Sequence, residues 1–146
     1  MQQKFIMGCH HQRFYNFVFA QKCYEQALKI YKVTLCYEHT HVARVMHNIG
    51  IMYYAKKDNE VALKCLKKSL SIRLSQLGDT DLSVAESYGW VGKIHREKKV
   101  FSKALECFLC AHRIKVDILG KAHVDSAEVL HNIGIVYDDL GLHPQR

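Results

Sequence analysis

The stretch His47-Asn48-Ile49-Gly50-Ile51-Met52-Tyr53-Tyr54 decides how the rest of the chain reads, because it returns at a fixed step. His131-Asn132-Ile133-Gly134-Ile135-Val136-Tyr137 repeats it nearly residue for residue, and Gly89-Trp90-Val91-Gly92 holds the same frame between them. Gly8, Gly50, Gly92 and Gly134 are evenly spaced, and Ala43, Ala85 and Ala127 follow at the same interval. A second set keeps that step: Ala20, Ala62 and Ala104; Cys23, Cys65 and Cys107; Ile30, Ile72 and Ile114; Leu35, Leu77 and Leu119. So many positions in one register mark an internal repeat, which governs every other inference from the sequence.

A chain of 146 residues with 49% apolar and 24% charged residues has the composition of a folded domain, or of a short array that buries its core between neighbouring units. Met1 to His11 has no apolar run of the secretory kind, and no stretch approaches the roughly 18 apolar residues of a membrane span. A cytoplasmic protein is the expectation, with its six cysteines reduced, since three of them recur at one repeat position as packing residues do. The net charge of +7 is uneven: residues 1–73 hold 12 Lys+Arg against 4 Asp+Glu, and residues 74–146 hold 9 against 10. A basic first half would suit an acidic protein or nucleic acid. Many of its lysines (Lys22, Lys29, Lys64, Lys67 and Lys68) fall on polar helix faces, where a solvated surface accounts for them.

Each unit reads as two helices. Gln2 to Arg13 is a first short helix, Phe14-Tyr15-Asn16 a turn, and Phe17 to Leu35 a second helix with one buried stripe at steps of three and four. Val42 to Ala55 and Asn59 to Leu77 form the next pair, with Asp58 as cap and Gly78 as stop. Val84 to Lys98 and Phe101 to Leu119 form the third, and Ser126 to Leu140 is a first helix with no second helix after it. Ser83 with Glu86, and Asp125 with Glu128, have capping-box spacing. The expected layout is one array: partial repeat 1–41, repeats 42–82 and 83–124, and partial repeat 125–146, about seven helices in all. The glycines mark close approach of the paired helix, with Ala20, Ala62 and Ala104 as small partners and Tyr24, Leu66 and Phe108 as the bulk.

The small residue in "NIG", the tyrosine three residues on and the alanine of the second helix resemble the tetratricopeptide repeat family. The 42-residue period and the segment Leu119 to Tyr137 are similar to the longer repeats of kinesin light chain and of nephrocystin-3-like proteins. Cys36, Ser69, Trp90 and His95 depart from that pattern. The resemblance implies an all-α, right-handed superhelical solenoid of antiparallel helix pairs. It also implies binding without catalysis: a protein-interaction scaffold, cytoplasmic and cytoskeleton-associated, whose first helices line a concave groove for a peptide of a partner. Carried over by position, the groove residues are Arg13; His47, Asn48, Ile51 and Tyr54; Trp90, Lys93 and Arg96; and His131, Asn132 and Ile135. Asparagines facing such a groove suit peptide backbone, because one amide both donates and accepts.

No metal or cofactor is expected. Adjacent helical residues such as Cys9-His10-His11 point about 100° apart, and Cys107 with Cys110 has no second pair at zinc spacing. No phosphate loop or nucleophile elbow occurs. Lys93 and Arg96 on the face of Trp90 predict a peptide with acidic residues beside an apolar anchor, seated in the space that Gly89 leaves. Nucleic acid is the second candidate, with Trp90 and Tyr54 as its only stacking aromatics and a steep salt dependence as its signature. The incomplete end units predict marginal stability and self-association.

Overall fold

The computed structural model describes residues 9–35 and 38–141, with side chains from residue 16 onward. Among these residues there are six helices: α1 (Cys9–Thr34), α2 (Thr40–Ala55), α3 (Asn59–Leu77), α4 (Leu82–Glu97), α5 (Phe101–Leu119) and α6 (Val124–Leu140). They stack in chain order as an all-α solenoid. α2 packs chiefly on α3 and α4 on α5, while α3 against α4, α5 against α6 and α1 against α2 join one unit to the next.

Close packing within each pair rests on glycine. A Cβ built on Gly50 would stand 2.6 Å from Leu66 Cγ and 3.2 Å from the Ala62 carbonyl oxygen. One built on Gly92 would lie 2.9–3.1 Å from the Phe108 ring. Leu66, Phe108, Ala62 and Ala104 are fully buried, so the small and bulky roles assigned from the register are those the helices adopt. Gly8 lies outside the described residues. Gly134 departs from the pattern, for nothing described lies within 4 Å of its would-be Cβ.

The linkers explain where helices stop. Lys57 (φ 68°) and Lys99 (φ 65°), at equivalent places in successive repeats, take the left-handed conformation that ends α2 and α4, and Asp58 then accepts from the Val61 N–H to start α3. Gly78 (φ 76°) and Gly120 (φ 92°) end α3 and α5 at the expected places. One expectation fails here. Phe14-Tyr15-Asn16 is no turn: α1 runs through it without a break. Tyr15 occupies the register of Lys57 and Lys99, and a bulky ring tolerates positive φ poorly, so helix continues where the later units turn. Gln2 to Gly8, Cys36 and Pro144 fall outside the described residues.

The caps also differ. Asp81, not Ser83, caps α4: its carboxylate accepts from the Ser83 N–H (2.8 Å) and from the Ser83 hydroxyl (2.7 Å), and these bonds hold it below the usual carboxylate range. His39 and His123 share the register of Asp81, and they cap α2 and α6 by accepting at Nδ1 from His41 N–H and Asp125 N–H, both at 3.0 Å. Each helix therefore starts two residues ahead of the spacing that marks a capping box, and Glu86 and Glu128 are left to other surfaces.

The interior Gly92 and the outer Gly134 should respond oppositely to substitution. Gly92→Leu is expected to lower the thermal midpoint, by about 1–3 kcal/mol of overpacking against Phe108. Gly134→Ala should leave it unchanged or raise it by up to ~1 kcal/mol, since only helix propensity changes. Circular-dichroism melts of both variants check the contrast.

Candidate functional site

The first helices of successive units, α2, α4 and α6, line one face of the solenoid, with α3 and α5 reaching it from behind. Between them lies an open groove of about 610 Å³. Of the residues expected there, it brings together His47, Asn48, Ile51, Trp90, Lys93 and Asn132. Gly89 sits beside Trp90 with nothing within 4 Å of its would-be Cβ, so the space expected next to the ring is open. The Lys93 ammonium lies 4.5 Å from the centroid of the Trp90 ring, and Tyr54 meets the same ring edge-on at 5.4 Å.

Other expected residues stand apart. Tyr54 lies outside the groove wall; it donates to Glu97, and burial followed by that bond raises its phenol to about 12. Arg96 also leaves the groove and turns to Asp139 of α6 at 3.5 Å, so it is not a second free cation beside Trp90. His131 is exposed and Ile135 half-buried, and neither lines the groove. Arg13 belongs to α1, but its side chain is outside the description.

The groove floor holds a group that sequence reasoning missed. Arg73 of α3 is 7% exposed, and its Nη1 donates to the Ser83 carbonyl oxygen (3.0 Å) and Ser87 Oγ (3.0 Å) and lies 3.4 Å from His47 Nδ1. Burial lowers its pKa, with Glu86 and Asp81 opposing that shift. Burial first, then Arg73, push His47 down to about 4, so His47 is neutral at pH 7 and presents a lone pair to the guanidinium. The signal was in the register. Arg73 and Lys115 share one repeat position, as do Arg44, Glu86 and Glu128, and all five line the groove together with Asp125. Both signs occur along it: Arg44, Arg73 and Lys93 outnumber Glu86 on α2, α3 and α4, and Asp125 and Glu128 outnumber Lys115 on α5 and α6.

The cysteines show no ligand geometry. Cys107 is half-buried and burial pushes its thiol up to about 11, which opposes the thiolate a metal needs. Among the described residues no group of three or more His, Cys, Asp or Glu side chains is placed to hold a metal ion. No described helix is long and apolar enough to cross a membrane.

Comparison with known proteins agrees with the fold. Residues 9–75 match the tetratricopeptide repeat family. The crystal structure of BtubC (BKLC) from P. vanneervenii matches with a TM-score of 0.78 at 22% identity over 90% of this chain and 52% of that one. Two crystal structures of the nearly identical TPR-like repeats of a Podosopora anserina putative kinesin light chain, one of them a substituted form, each match with a TM-score of 0.79 at 20% identity over 90% of this chain. They are covered over 63% and 62% of their own lengths, so what is shared is the fold of the repeat array. The Clustered mitochondria protein homolog of Danio rerio is 26% identical over 91 residues, 62% of this chain. The chain spans 6% of that protein's length.

His47 gives the site a pH signature. The unfolded imidazole has a pKa of 6.5 and the folded one about 4, so between these values the unfolded chain binds a proton that the folded chain refuses. Stability present above pH 6.5 is therefore lost as pH falls toward 4, by roughly 3 kcal/mol at most from this group. His95, lowered chiefly by burial and then by Lys103, adds to the same acid limb. Denaturant titrations at pH 7 and pH 4.5 should show a smaller acid loss for His47→Gln, whose amide oxygen can still accept from Arg73.

Proposed function

Because residues 9–75 match the tetratricopeptide repeat family and the chain has the fold of kinesin-light-chain-like repeats, we propose that its groove holds an extended segment of a partner protein, as an adaptor would. The observation that carries this is the convergence of Asn48, Asn132, Trp90 and Lys93 on one open groove beside Gly89. An extended peptide brings unpaired backbone groups, which the two asparagine amides can meet on either side of Trp90. The space at Gly89 against the exposed part of the Trp90 ring takes an apolar side chain. Lys93, Arg44 and Arg73 together outweigh Glu86 and favour carboxylates on the α2 and α4 side, while Asp125 and Glu128 outweigh Lys115 and disfavour them toward α6. The bound segment thus has an apolar anchor at the middle unit and its acidic residues toward the chain's first half.

Binding is the whole activity in this proposal, with no catalysis and no cofactor, and the cytoplasm as its setting. Nucleic acid fits the groove less well. Trp90 is covered by Lys93 on one face and met by Tyr54, whose hydroxyl is held by Glu97, so the two aromatics do not stand as free stacking platforms.

Trp90 is the sole tryptophan, so its emission reports the site directly. An array of extended peptides with Asp or Glu flanking a Leu or Phe should contain sequences that shift that emission. Lys93→Glu should weaken them at least tenfold, a cost of about 1.4 kcal/mol. Gly89→Leu should weaken them by filling the anchor space. The Lys93→Glu melting point should fall only slightly, since one exposed cation–π contact contributes about 0.5–1 kcal/mol. Equal binding by wild type and both variants would place the partner elsewhere. Steep loss of a generic RNA with salt would favour nucleic acid.

A further inference from the structure

A separate cleft of about 430 Å³ lies between α3, α4 and α5 and shares no lining residue with the groove. Its size falls in the range of small-molecule sites, roughly 300–1,000 Å³. Leu70 and Leu74 of α3 and Val91 of α4 give it an apolar wall, and His95 lines it one turn beyond Val91. His95 is 7% exposed, and its Nδ1 is shut off from solvent with no hydrogen-bond partner among the described residues. A buried polar atom left unpaired is destabilising, so its presence in a folded chain requires a cause. The repeat does not supply one. The same position holds Tyr53 one repeat back and Tyr137 one repeat on, so the fold of the unit does not itself demand an imidazole.

Cations gather around this ring. Lys67 of α3 and Lys103 of α5 line the cleft, both are exposed, and neither has an ion-pair partner among the described residues. Burial lowers the pKa of His95, and Lys103, Lys67 and Lys98 lower it further. Lys98 is held by Glu60 at 2.9 Å, which leaves Lys67 and Lys103 as the open charges. Glu106 of α5 also lines the cleft, so two lysines stand against one carboxylate while His95 is neutral. Cys107, the remaining titratable group there, stays a thiol because burial pushes it up to about 11. One repeat back, Glu25 and Val61 hold the places of Lys67 and Lys103, while Lys29, Lys32 and Lys64 hold those of Ser71, Leu74 and Glu106. The set of one histidine with these two lysines beside an apolar wall is thus particular to this unit.

We infer that the cleft binds a carboxylate that carries a short apolar body, the carboxylate lying between Lys67 and Lys103 against the His95 ring and the body covering Leu70, Leu74 and Val91. The ligand meets the ring away from the enclosed Nδ1. A small excess of positive charge suits one carboxylate better than a phosphate dianion, which Glu106 repels. The bound anion favours imidazolium over imidazole, so binding is coupled to proton uptake at His95 and strengthens as pH falls.

An NMR titration of the isotope-labelled chain with 3-phenylpropanoate, following the His95 imidazole signals, tests this. Those signals, identified by their loss in His95→Gln, should shift saturably, and the affinity should rise several-fold between pH 7.5 and pH 5.5, where the probe stays ionised. His95→Gln, checked for wild-type helicity, should lose that pH dependence. The uncharged 3-phenylpropanamide and the dianion phenyl phosphate should both bind more weakly than the carboxylate. Lys67→Glu and Lys103→Glu alter exposed positions and should melt with the wild type. Each should weaken the probe on the order of tenfold through reversed charge, whereas Lys93→Glu in the groove should leave it unchanged. A peptide ending in phenylalanine with a free carboxylate offers the same group: much tighter binding than 3-phenylpropanoate assigns the cleft to a chain end, and equal binding assigns it to a small acid. No saturable shift in the wild type, equal binding of the amide, tighter binding of phenyl phosphate, or wild-type affinity in both lysine variants would each overturn the inference.

Discussion

The structure depends on how closely two antiparallel helices approach at one glycine per unit. With no Cβ at Gly50 and Gly92, the side chains of Leu66 and Phe108 enter the space a methyl would take, and both are wholly buried there. Glycine inside a helix costs about 0.5–1 kcal/mol against alanine. Burial of a leucine or phenylalanine, at about 1.5–3 kcal/mol, exceeds that cost. The glycine is therefore favourable only where a bulky residue faces it, as at positions 50 and 92, whereas nothing described faces Gly134.

That approach positions the groove. Once α3 and α5 are drawn against the glycine faces of α2 and α4, the other faces of the first helices turn to the concave side, and α3 reaches the groove floor at Arg73. A guanidinium buried there needs partners at once, because desolvating a cation costs several kcal/mol. Ser87 of α4, the Ser83 carbonyl oxygen at the start of α4 and the neutral His47 of α2 provide them. One side chain thus ties α2, α3 and α4 together.

The repeat period made most of this legible. Helices α3 and α5 have the bounds that capping and glycine stops predict, and in the two inner units the glycine, alanine and bulky registers meet as expected, because there the same packing recurs. What stayed hidden has a physical cause in each case. Phe14-Tyr15-Asn16 has the place of a turn, but it is the bulky Tyr15, and not Asn16, that holds the register of the positive-φ Lys57 and Lys99. His39 and His123 cap through a ring nitrogen, which composition does not distinguish from a surface histidine. Arg96 was placed by helix periodicity on the face of Trp90, yet its long side chain reaches Asp139 on the next unit, a choice that only the stacking of units can settle. Arg73 follows the buried Ile72 in a second helix, where a charged residue is ordinarily solvated, and only its register with Lys115 singled it out.

Departures from the repeat concentrate in the middle unit, and they act together. Trp90 stands where Asn48 and Asn132 stand in the flanking units, Gly89 where His47 and His131 stand, and Lys93 where Ile51 and Ile135 stand. Each change alone would weaken an ordinary unit: a ring too large for its place, a glycine within a helix and a cation on an apolar position. Together they fit, since the lysine lies over the ring and the glycine opens the space beside it. Packing of α4 on α5 does not require this set, because the glycine and alanine registers that hold this pair also hold α2 to α3. All three changes meet on the groove wall, where Trp90 also packs against the cluster of Ala62, Leu66, Val91 and Ile94 and so joins the wall to the core behind it.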